Sequence, residues 1–213
     1  MGYHQLTSRE RYTNLPALLF SLHSKSITLL DPSSWDDKND SYYLQKYKEK
    51  KGLQTVLALC MSEVEETYHH WHVFSSRSAG VCIRFDRQAL LAAIDATPGT
   101  AHDSVNYERV RDARRRQTAL SIDELPFLKR TGFAPECEYR VLYTSKDRSL
   151  RTLDVSIPIS SIVEISLSPW LSSKLRNCVR DTIKSIPGCQ AIEVHRSTLV
   201  GNSTWKRFAD NAT

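Results

Sequence analysis

The chain has 213 residues, of which 40% are hydrophobic and 25% are charged, with a formal net charge of +5. No apolar run approaches the roughly 18 residues of a membrane span, and residues 1–5 lack the basic end and apolar core of a secretory signal. We therefore expect a soluble cytoplasmic protein without a membrane partner, whose mild positive charge favours an anionic ligand such as a nucleotide or nucleic acid.

Hydrophobic periodicity predicts strands and helices that interleave along the whole chain. The predicted strands, each an apolar or β-branched run, cover residues 26–30, 55–60, 80–86, 105–110, 138–143, 153–159, 162–167 and 190–195. The predicted helices cover residues 15–22, 42–51, 63–74, 87–94, 111–128 and 171–186. These elements do not alternate strictly, so we predict an α+β fold in which a mixed, mostly antiparallel sheet is flanked by helices. The length predicts a single domain over residues 1–213, with its core at about residues 11–200 and a short C-terminal tail.

The helix predicted after the apolar strand at residues 55–60 carries several aromatic side chains. Ser62 and the acid three residues later have the spacing of a capping box, which predicts a helix over residues 63–74. On that helix His70, Trp71 and Phe74 share one face because they lie three or four residues apart. Such a face can stack on a ligand or form hydrogen bonds with it.

Three histidines within four residues suggest a metal, namely His69, His70 and His72. A pair spaced by three residues lacks both a third ligand and the spacing of four that a zinc-binding helix uses. We therefore predict no metal site.

Two carboxylates stand two residues apart at the beginning of the strand predicted over residues 138–143. Because residues i and i+2 share one face of a strand, Glu136, Glu138 and Arg140 are predicted to project to the same side. One interpretation is an edge strand whose polar face is solvated, with Arg140 holding a neighbouring carboxylate. The other is a site for chemistry.

The helix predicted over residues 111–128 carries a cluster of arginines, Arg111, Arg114, Arg115 and Arg116. Such a cluster can bind phosphates, and it can also be the solvated face of a helix. The sequence leaves both interpretations open.

Several short motifs occur in an order that resembles a bacterial and phage family, domain of unknown function 2971. They are the Trp-Asp-Asp-Lys-Asn-Asp run at residues 35–40, Cys-Met-Ser at 60–62, Trp-x-x-Phe at 71–74, Gly-Val-Cys-Ile-Arg-Phe-Asp at 80–86 and the Glu-x-Glu-Tyr-Arg strand at 136–140. The resemblance covers about residues 11–200, and it departs from the family pattern at Phe74, Ser75 and the extra histidines. It implies no activity, because none is known for the family.

A more distant resemblance, to the ADP-ribosyltransferases, implies a mechanism. A polar segment at residues 11–14 precedes a helix, a strand ends at Ser62 and leads into a helix with aromatic residues, and a later strand begins with Glu138. The resemblance implies a split sheet and NAD as the substrate, which is cleaved at its nicotinamide–ribose bond. It also implies a protein or nucleic-acid acceptor and, as an expectation, a toxin or phage-defence setting.

The same resemblance implies roles for individual residues. Glu138 would stabilise the positive charge that develops on the ribose, as carboxylates do in glycosidases, and Glu136 would orient or deprotonate the acceptor. Arg11 would bind the NAD diphosphate or ribose, and Trp71 or Phe74 would stack on nicotinamide. Ser62 would be either a polar contact or only the helix cap. The NAD-binding residues predicted in this way are Arg11, Tyr12, Ser62, His70, Trp71, Phe74 and Arg140.

Two functions of other classes remain open from the sequence. A non-catalytic module would use the same residues to bind a nucleotide or nucleic acid. A metal-dependent nuclease would use the histidines together with Asp36, Asp37, Asp40 and Glu138. The acceptor and the oligomeric state are not predicted.

Overall fold

A computed structural model describes residues 8–212 of the chain. The prediction that residues 1–5 are not a secretory signal falls outside that range. Within it, no helix combines the length and the apolar character needed to cross a membrane.

The elements interleave as the sequence predicts. The strands are β1 (Ser8–Asn14), β2 (Ser26–Leu30), β3 (Thr55–Ser62), β4 (Gly80–Asp86), β5 (Thr100–Ser104), β6 (Asn106–Glu108), β7 (Leu128–Arg130), β8 (Glu138–Ser145), β9 (Thr152–Ser156), β10 (Ile162–Leu167) and β11 (Glu193–Arg196). The α-helices are α1 (Leu15–Ser24), α2 (Lys38–Lys51), α3 (Tyr68–Phe74), α4 (Arg87–Asp95), α5 (Val110–Ala113), α6 (Ser173–Ser185) and α7 (Ser203–Asp210). The last of these helices lies in the predicted C-terminal tail.

The main sheet has nine strands and is split along one edge of β3. One edge of β3 pairs along its whole length with β8, which in turn pairs with β5. The opposite edge meets β1 at a single pair, Glu10 with Ser62, and β2 at a single pair, Leu30 with Ala58. From there β1 continues to β4, β10 and β11, whereas β2 continues to β9. Two half-sheets therefore diverge from β3 and leave a gap between β1 and the middle of β3.

This architecture confirms the predicted α+β class. The pairs within the main sheet are antiparallel except for β10 with β11, and helices flank the sheet. The main core contains Leu18 and Leu22 of α1 together with the alternate β3 residues Leu57 and Leu59, all buried. The other face of β3 forms a smaller apolar cluster with Leu44 of α2. Successive apolar side chains of β3 project to opposite faces, so β3 packs against other elements on both sides of the sheet.

The predicted helix over residues 63–74 is wrong in its first turn, because α3 begins only at Tyr68. Ser62 is not its cap: its hydroxyl accepts from the amide of Val64 and donates to the oxygen of Val64, both at 3.2 Å. The cap is Thr67, whose hydroxyl accepts from the amide of His70 at 3.2 Å. The capping-box motif therefore coincides with a turn at the end of a strand.

The predicted helix over residues 111–128 is also wrong. Only Val110–Ala113 is α-helical, and a separate 3₁₀ helix over Ile122–Phe127 follows, with Ser121 as its cap. The like charges of Arg111 and Arg115, four residues apart, oppose a long helix, and Pro126 has no amide hydrogen to donate. The basic residues therefore lie in a mostly irregular excursion.

Candidate active site

A cleft of about 520 Å³ opens where β1 and β3 diverge. One wall consists of β1 and α3, and the end of β3 forms the floor. The other wall consists of the loop between β2 and α2 together with the segment at residues 129–138. The split in the sheet thus creates the cleft, and it brings all three of the sequence segments singled out for chemistry to one place.

Arg11 brings a buried cation to this cleft. Its residue surface is only 8% exposed, and it forms no hydrogen bond or ion pair with any residue in the range 8–212. Burial lowers the pKa of Arg11 to about 10, because the charged form has lost much of its hydration. By contrast, Arg9 forms an ion pair of 2.7 Å with Glu63. A buried guanidinium without a counter-ion is suited to an anionic ligand.

Glu138 also lines the cleft and is held ionised. Its Oε1 accepts a hydrogen bond of 2.7 Å from Nε of Arg140, and its Oε2 accepts one of 3.1 Å from Nζ of Lys129. Burial alone would raise the pKa of Glu138, but the two cations outweigh burial and lower it to about 2. Glu138 therefore presents a fixed negative charge at neutral pH.

Glu136 has the opposite electrostatic environment. Cys137 adopts a left-handed conformation with φ of 43°, and β8 begins at Glu138, as predicted. Glu136 therefore lies before the strand rather than on the strand face predicted to carry it with Glu138. Its Oε2 accepts a hydrogen bond of 2.6 Å from Lys129. Burial nevertheless raises the pKa of Glu136, and Lys129 offsets only part of that rise. Two carboxylates whose pKa values move apart are suited to different roles in catalysis.

Lys129 links the two carboxylates. Besides its contacts with Glu136 and Glu138, its Nζ lies 3.6 Å from Oδ2 of Asp40. Burial would lower the pKa of Lys129, but the neighbouring carboxylates outweigh it and raise the pKa. The ammonium group is therefore a permanent cation among the carboxylates of Asp40, Glu136 and Glu138, which together form the acidic wall of the cleft.

The structure does not place Arg140 in the cleft lining, contrary to its predicted contact with NAD. Its side chain has no exposed surface. Its two terminal nitrogens bind both oxygens of Asp40, at 2.9 and 2.6 Å, and one of them also donates to the backbone oxygen of Pro126 at 2.7 Å. Arg140 lies in the same strand as Glu138 and holds the Glu138 carboxylate through the hydrogen bond from its Nε.

Trp71 is also absent from the cleft lining, so its predicted stacking on nicotinamide does not fit the structure. Trp71 has no exposed surface, and its Nε1 donates a hydrogen bond of 2.6 Å to Glu66. Its ring packs edge-on against Tyr12, with centroids 5.4 Å apart. Phe74, at the end of α3, does line the cleft, with 39% of its surface exposed.

The remaining predicted residues, Tyr12, Ser62 and His70, all line the cleft. Tyr12 stacks on the His70 ring, with centroids 5.1 Å apart, and donates a hydrogen bond of 3.0 Å to Glu10. Burial raises the pKa of Tyr12, so its hydroxyl stays protonated. Ser62 lies on the floor, at the pair that joins β3 to β1.

Sequence reasoning missed Lys129, Trp35 and the role of Asp40, all of which line the cleft. Nothing in the local sequence indicated that Lys129 would contact two carboxylates. Asp40 was named as a metal ligand of the nuclease alternative, although it pairs with a residue 100 positions away. Only the three-dimensional structure supplies such long-range pairs.

The metal-ligand set of the nuclease alternative does not assemble. Within residues 8–212 no three His, Cys, Asp or Glu side chains converge to hold a metal ion. Asp37 caps α2 by accepting from the amide of Asn39 at 3.0 Å, and Asp40 is bound by Arg140. The acidic residues therefore cap and anchor the beginning of α2.

The basic segment, residues 109–116, adjoins the acidic wall. It begins two residues after Tyr107, whose hydroxyl accepts a hydrogen bond of 2.9 Å from the amide of Glu138. Arg116 pairs with Glu108 at 2.8 Å and with Glu124 at 3.3 Å. The exposed side chains of Arg109, Arg114 and Arg115 form no ion pair within the described chain.

No protein-family model matches the chain, and no curated protein matches it. The resemblance to domain of unknown function 2971 therefore stays a prediction. Among solved structures, the chain is similar to Thermus sp. 2.9 DarT in complex with NAD+, with 12% identity, a TM-score of 0.46 and coverage of 92% of this chain and 98% of that chain. It is also similar to the same protein in complex with ADP-ribosylated ssDNA, with 12% identity, a TM-score of 0.47 and coverage of 92% and 97%. Likeness of this degree leaves the function to be inferred from the cleft itself.

Proposed function

We propose that the chain is an ADP-ribosyltransferase, which cleaves NAD at the nicotinamide–ribose bond and transfers ADP-ribose to an acceptor. The observation that carries this proposal is that one cleft is lined both by Arg11, a buried cation with no ion-pair partner in the range 8–212, and by the ionised carboxylate Glu138. NAD offers a matching pair of features, since its diphosphate is anionic and its ribose becomes cationic as the bond breaks. Phe74 and Tyr12 add aromatic surface on the wall of Arg11.

In the proposed reaction the C1′–N bond breaks and its electron pair leaves with nicotinamide, which becomes neutral. The ribose then carries positive charge in an oxocarbenium-like state. Glu138 stabilises that charge, because Arg140 and Lys129 hold its carboxylate ionised in a fixed position. Stabilisation of this kind acts mainly in the transition state and therefore raises kcat.

The acceptor nucleophile then forms a bond to C1′ and releases a proton. Glu136 is the proposed base, because burial raises its pKa and makes its carboxylate more basic than that of an exposed glutamate. It lies beside Glu138, and both contact Lys129. The proton therefore passes to Glu136 on the acidic wall, opposite the wall proposed to bind the diphosphate.

Of the two acceptor classes, the basic segment favours nucleic acid. Its exposed arginines begin two residues beyond Tyr107, whose hydroxyl contacts the backbone amide of Glu138. We infer that a phosphate backbone approaching Glu138 from this side would contact them. Contacts of this type release counter-ions and make binding depend on salt. A protein acceptor would not require this segment.

The proposed transfer can be tested by mass spectrometry of the protein incubated with NAD, with and without oligonucleotides or a protein extract. We expect free nicotinamide and an added ADP-ribose mass on the acceptor, and Glu138→Gln should slow both by about a hundredfold or more. Glu193→Gln removes the same charge from an exposed position and should leave the rate unchanged. Intact NAD in every arm would contradict transfer. If calorimetry then detects NAD binding, the result indicates a binding module. If calorimetry detects no binding, NAD is not a ligand of the cleft.

The acceptor class can be tested separately through the basic segment. We expect the double substitution Arg114→Gln and Arg115→Gln to weaken oligonucleotide binding and to lower the slope of log affinity against log salt by about one to two. The double substitution Arg176→Gln and Arg180→Gln on α6 is a matched control, because α6 contributes nothing to the cleft lining. An ADP-ribose mass found only on protein would contradict the nucleic-acid acceptor.

A further inference from the structure

We infer that Asp40 and Arg140 form a positioning relay that fixes the orientation of the Glu138 carboxylate. This inference rests on the proposed function, because it concerns the same reaction. Neither residue is proposed to touch the substrate. Asp40 would act on catalysis only through Arg140, and Arg140 only through Glu138.

The guanidinium of Arg140 uses all of its nitrogens. Nε donates to Oε1 of Glu138 at 2.7 Å, and the terminal nitrogens donate to the two oxygens of Asp40 at 2.9 and 2.6 Å. A further bond of 2.7 Å reaches the backbone oxygen of Pro126. The side chains of Asp40 and Arg140 have no exposed surface. Water therefore cannot replace any of these partners.

The planarity of the guanidinium makes this arrangement directional. A bidentate pair with Asp40 fixes the plane of the group and its rotation within that plane. Once the two terminal nitrogens are fixed, the direction of the Nε–H bond is fixed as well, and that bond ends on Oε1 of Glu138. Oε2 is thereby turned toward Lys129 and the cleft. A point charge such as lysine would attract Glu138 without setting its orientation.

The relay is anchored at the beginning of α2. Asp40 lies in the first turn of that helix, and its amide donates at 3.3 Å to the capping carboxylate of Asp37. The ring of Trp35 covers the guanidinium of Arg140, at 5.1 Å from its centroid. The beginning of α2 thus holds the proposed catalytic carboxylate through Arg140, although it is remote from Glu138 in sequence.

The decisive variant is Asp40→Asn, which keeps the shape of the side chain but offers only one acceptor oxygen. We expect kcat for nicotinamide release to fall about tenfold to a hundredfold, with KM for NAD changed by less than about threefold. The matched control is Asp123→Asn, which removes the same charge from an exposed ion pair with Lys51 and should change neither constant. An equal kcat in Asp40→Asn and the wild type, or a loss that appears in KM alone, would overturn the relay.

A double-mutant cycle separates positioning from general damage. In a Glu138→Gln background, Asp40→Asn should lower the remaining rate by less than about twofold, because the group that it positions is already lost. The same fold loss in both backgrounds would show that Asp40 acts independently of Glu138 and would overturn the inference. The cycle is run below the melting temperature of every variant, as determined by circular dichroism.

A measurement that needs neither catalysis nor an Asp40 variant keeps the inference testable. In the wild type, the Nε–H group of Arg140 should give a resolved and slowly exchanging nitrogen-15 NMR signal, which shifts in Glu138→Gln. A signal averaged with those of free arginines would overturn the relay whether or not Asp40→Asn folds. If the wild type neither binds nor cleaves NAD, the proposed function fails, while this signal still tests the anchoring of Glu138.

Discussion

The ring of His70 donates a hydrogen bond of 3.1 Å from Nε2 to the backbone oxygen of Glu136. Because a carbonyl oxygen can only accept, Nε2 carries a proton, and Nδ1 lies 3.1 Å from the hydroxyl of Thr67. Burial lowers the pKa of His70 and so favours the neutral ring, in which Nδ1 accepts from that hydroxyl. His70 connects α3 to the turn that precedes Glu138, so that one imidazole joins the helix that carries Phe74 to the acidic wall.

The stability of the protein should depend on pH through His70. Burial lowers the pKa of His70 below its ordinary value of about 6.5, so between these two pKa values the unfolded state binds more protons. The free energy of unfolding should therefore fall as the pH drops below about 6.5, by up to about 1.4 kcal/mol per pH unit. His70→Gln keeps a donor and an acceptor but does not titrate, and it should flatten this dependence in denaturant unfolding at pH 5–8. His23→Gln, at an exposed position of α1, is the control, and equal slopes in wild type and His70→Gln would contradict the prediction.

Arg11 should strengthen NAD binding, and in the free protein it should lower the free energy of unfolding. We expect Arg11→Met to raise the free energy of unfolding by about 1 kcal/mol, because it removes a buried charge that has no counter-ion within residues 8–212. The same substitution should weaken NAD binding about tenfold or more. Thermal unfolding with and without NAD measures both effects.

Arg9→Met provides the contrast. Since Arg9 pairs with the buried Glu63 at 2.7 Å, its loss leaves an uncompensated carboxylate and should destabilise the protein by about 3 kcal/mol. Similar stability changes in the two methionine variants would show that the surroundings of Arg11 contain a counter-charge.

Glu136 and Glu138 should affect the stability of the protein in opposite directions at pH 7. The pKa of Glu138 is lowered to about 2, so its contribution is complete above its unfolded value of about 4.3 and is lost as the pH falls toward 2. The pKa of Glu136 is raised, so its ionisation destabilises the folded state at neutral pH. We expect Glu138→Gln to lower the free energy of unfolding by about 3 kcal/mol and Glu136→Gln to increase it. Urea titrations at pH 7 test both signs, and a loss of stability in Glu136→Gln would refute the second.

Trp71 and Phe74 should separate stability from ligand binding. Trp71→Ala removes a fully buried ring and should destabilise the protein by about 3–5 kcal/mol. Phe74→Ala removes a ring that is 39% exposed on the cleft wall, so it should weaken NAD binding with a much smaller change in melting temperature. Calorimetry of NAD binding beside thermal unfolding distinguishes the two, and unchanged NAD affinity in Phe74→Ala would remove that residue from the proposed site.

The sequence was sufficient for elements whose pattern is local. The apolar run of β3 predicted a central strand, the residues from Glu138 onward predicted a strand, and the order of elements predicted an α+β fold. The edge-strand interpretation of the second segment is wrong, because β8 lies between β3 and β5. Arg11, Ser62 and Glu138 were singled out on separate segments, and the split of the sheet brings them to one cleft. Local patterns thus identified these residues.

The sequence was insufficient where the outcome depends on tertiary contacts. Spacing alone could not show which aromatic face of α3 packs on Tyr12, so Trp71 was placed in the site and proved to be core. Nor could a strand pattern predict the left-handed Cys137, which moves Glu136 out of the strand while keeping it beside Lys129. Both outcomes follow from packing between segments far apart in the chain.

The split between β1 and β3 also leaves a recognition surface that substitutions cannot easily remove. Apart from the pair at Glu10, the main chain of β1 on the side of β3 has no strand partner within the described residues. Its amide and carbonyl groups can therefore form hydrogen bonds with a bound molecule that carries a carboxamide, much as they would with a strand. Because such groups belong to every residue type except proline, an alanine scan of the cleft should leave a residual affinity that no single side chain accounts for.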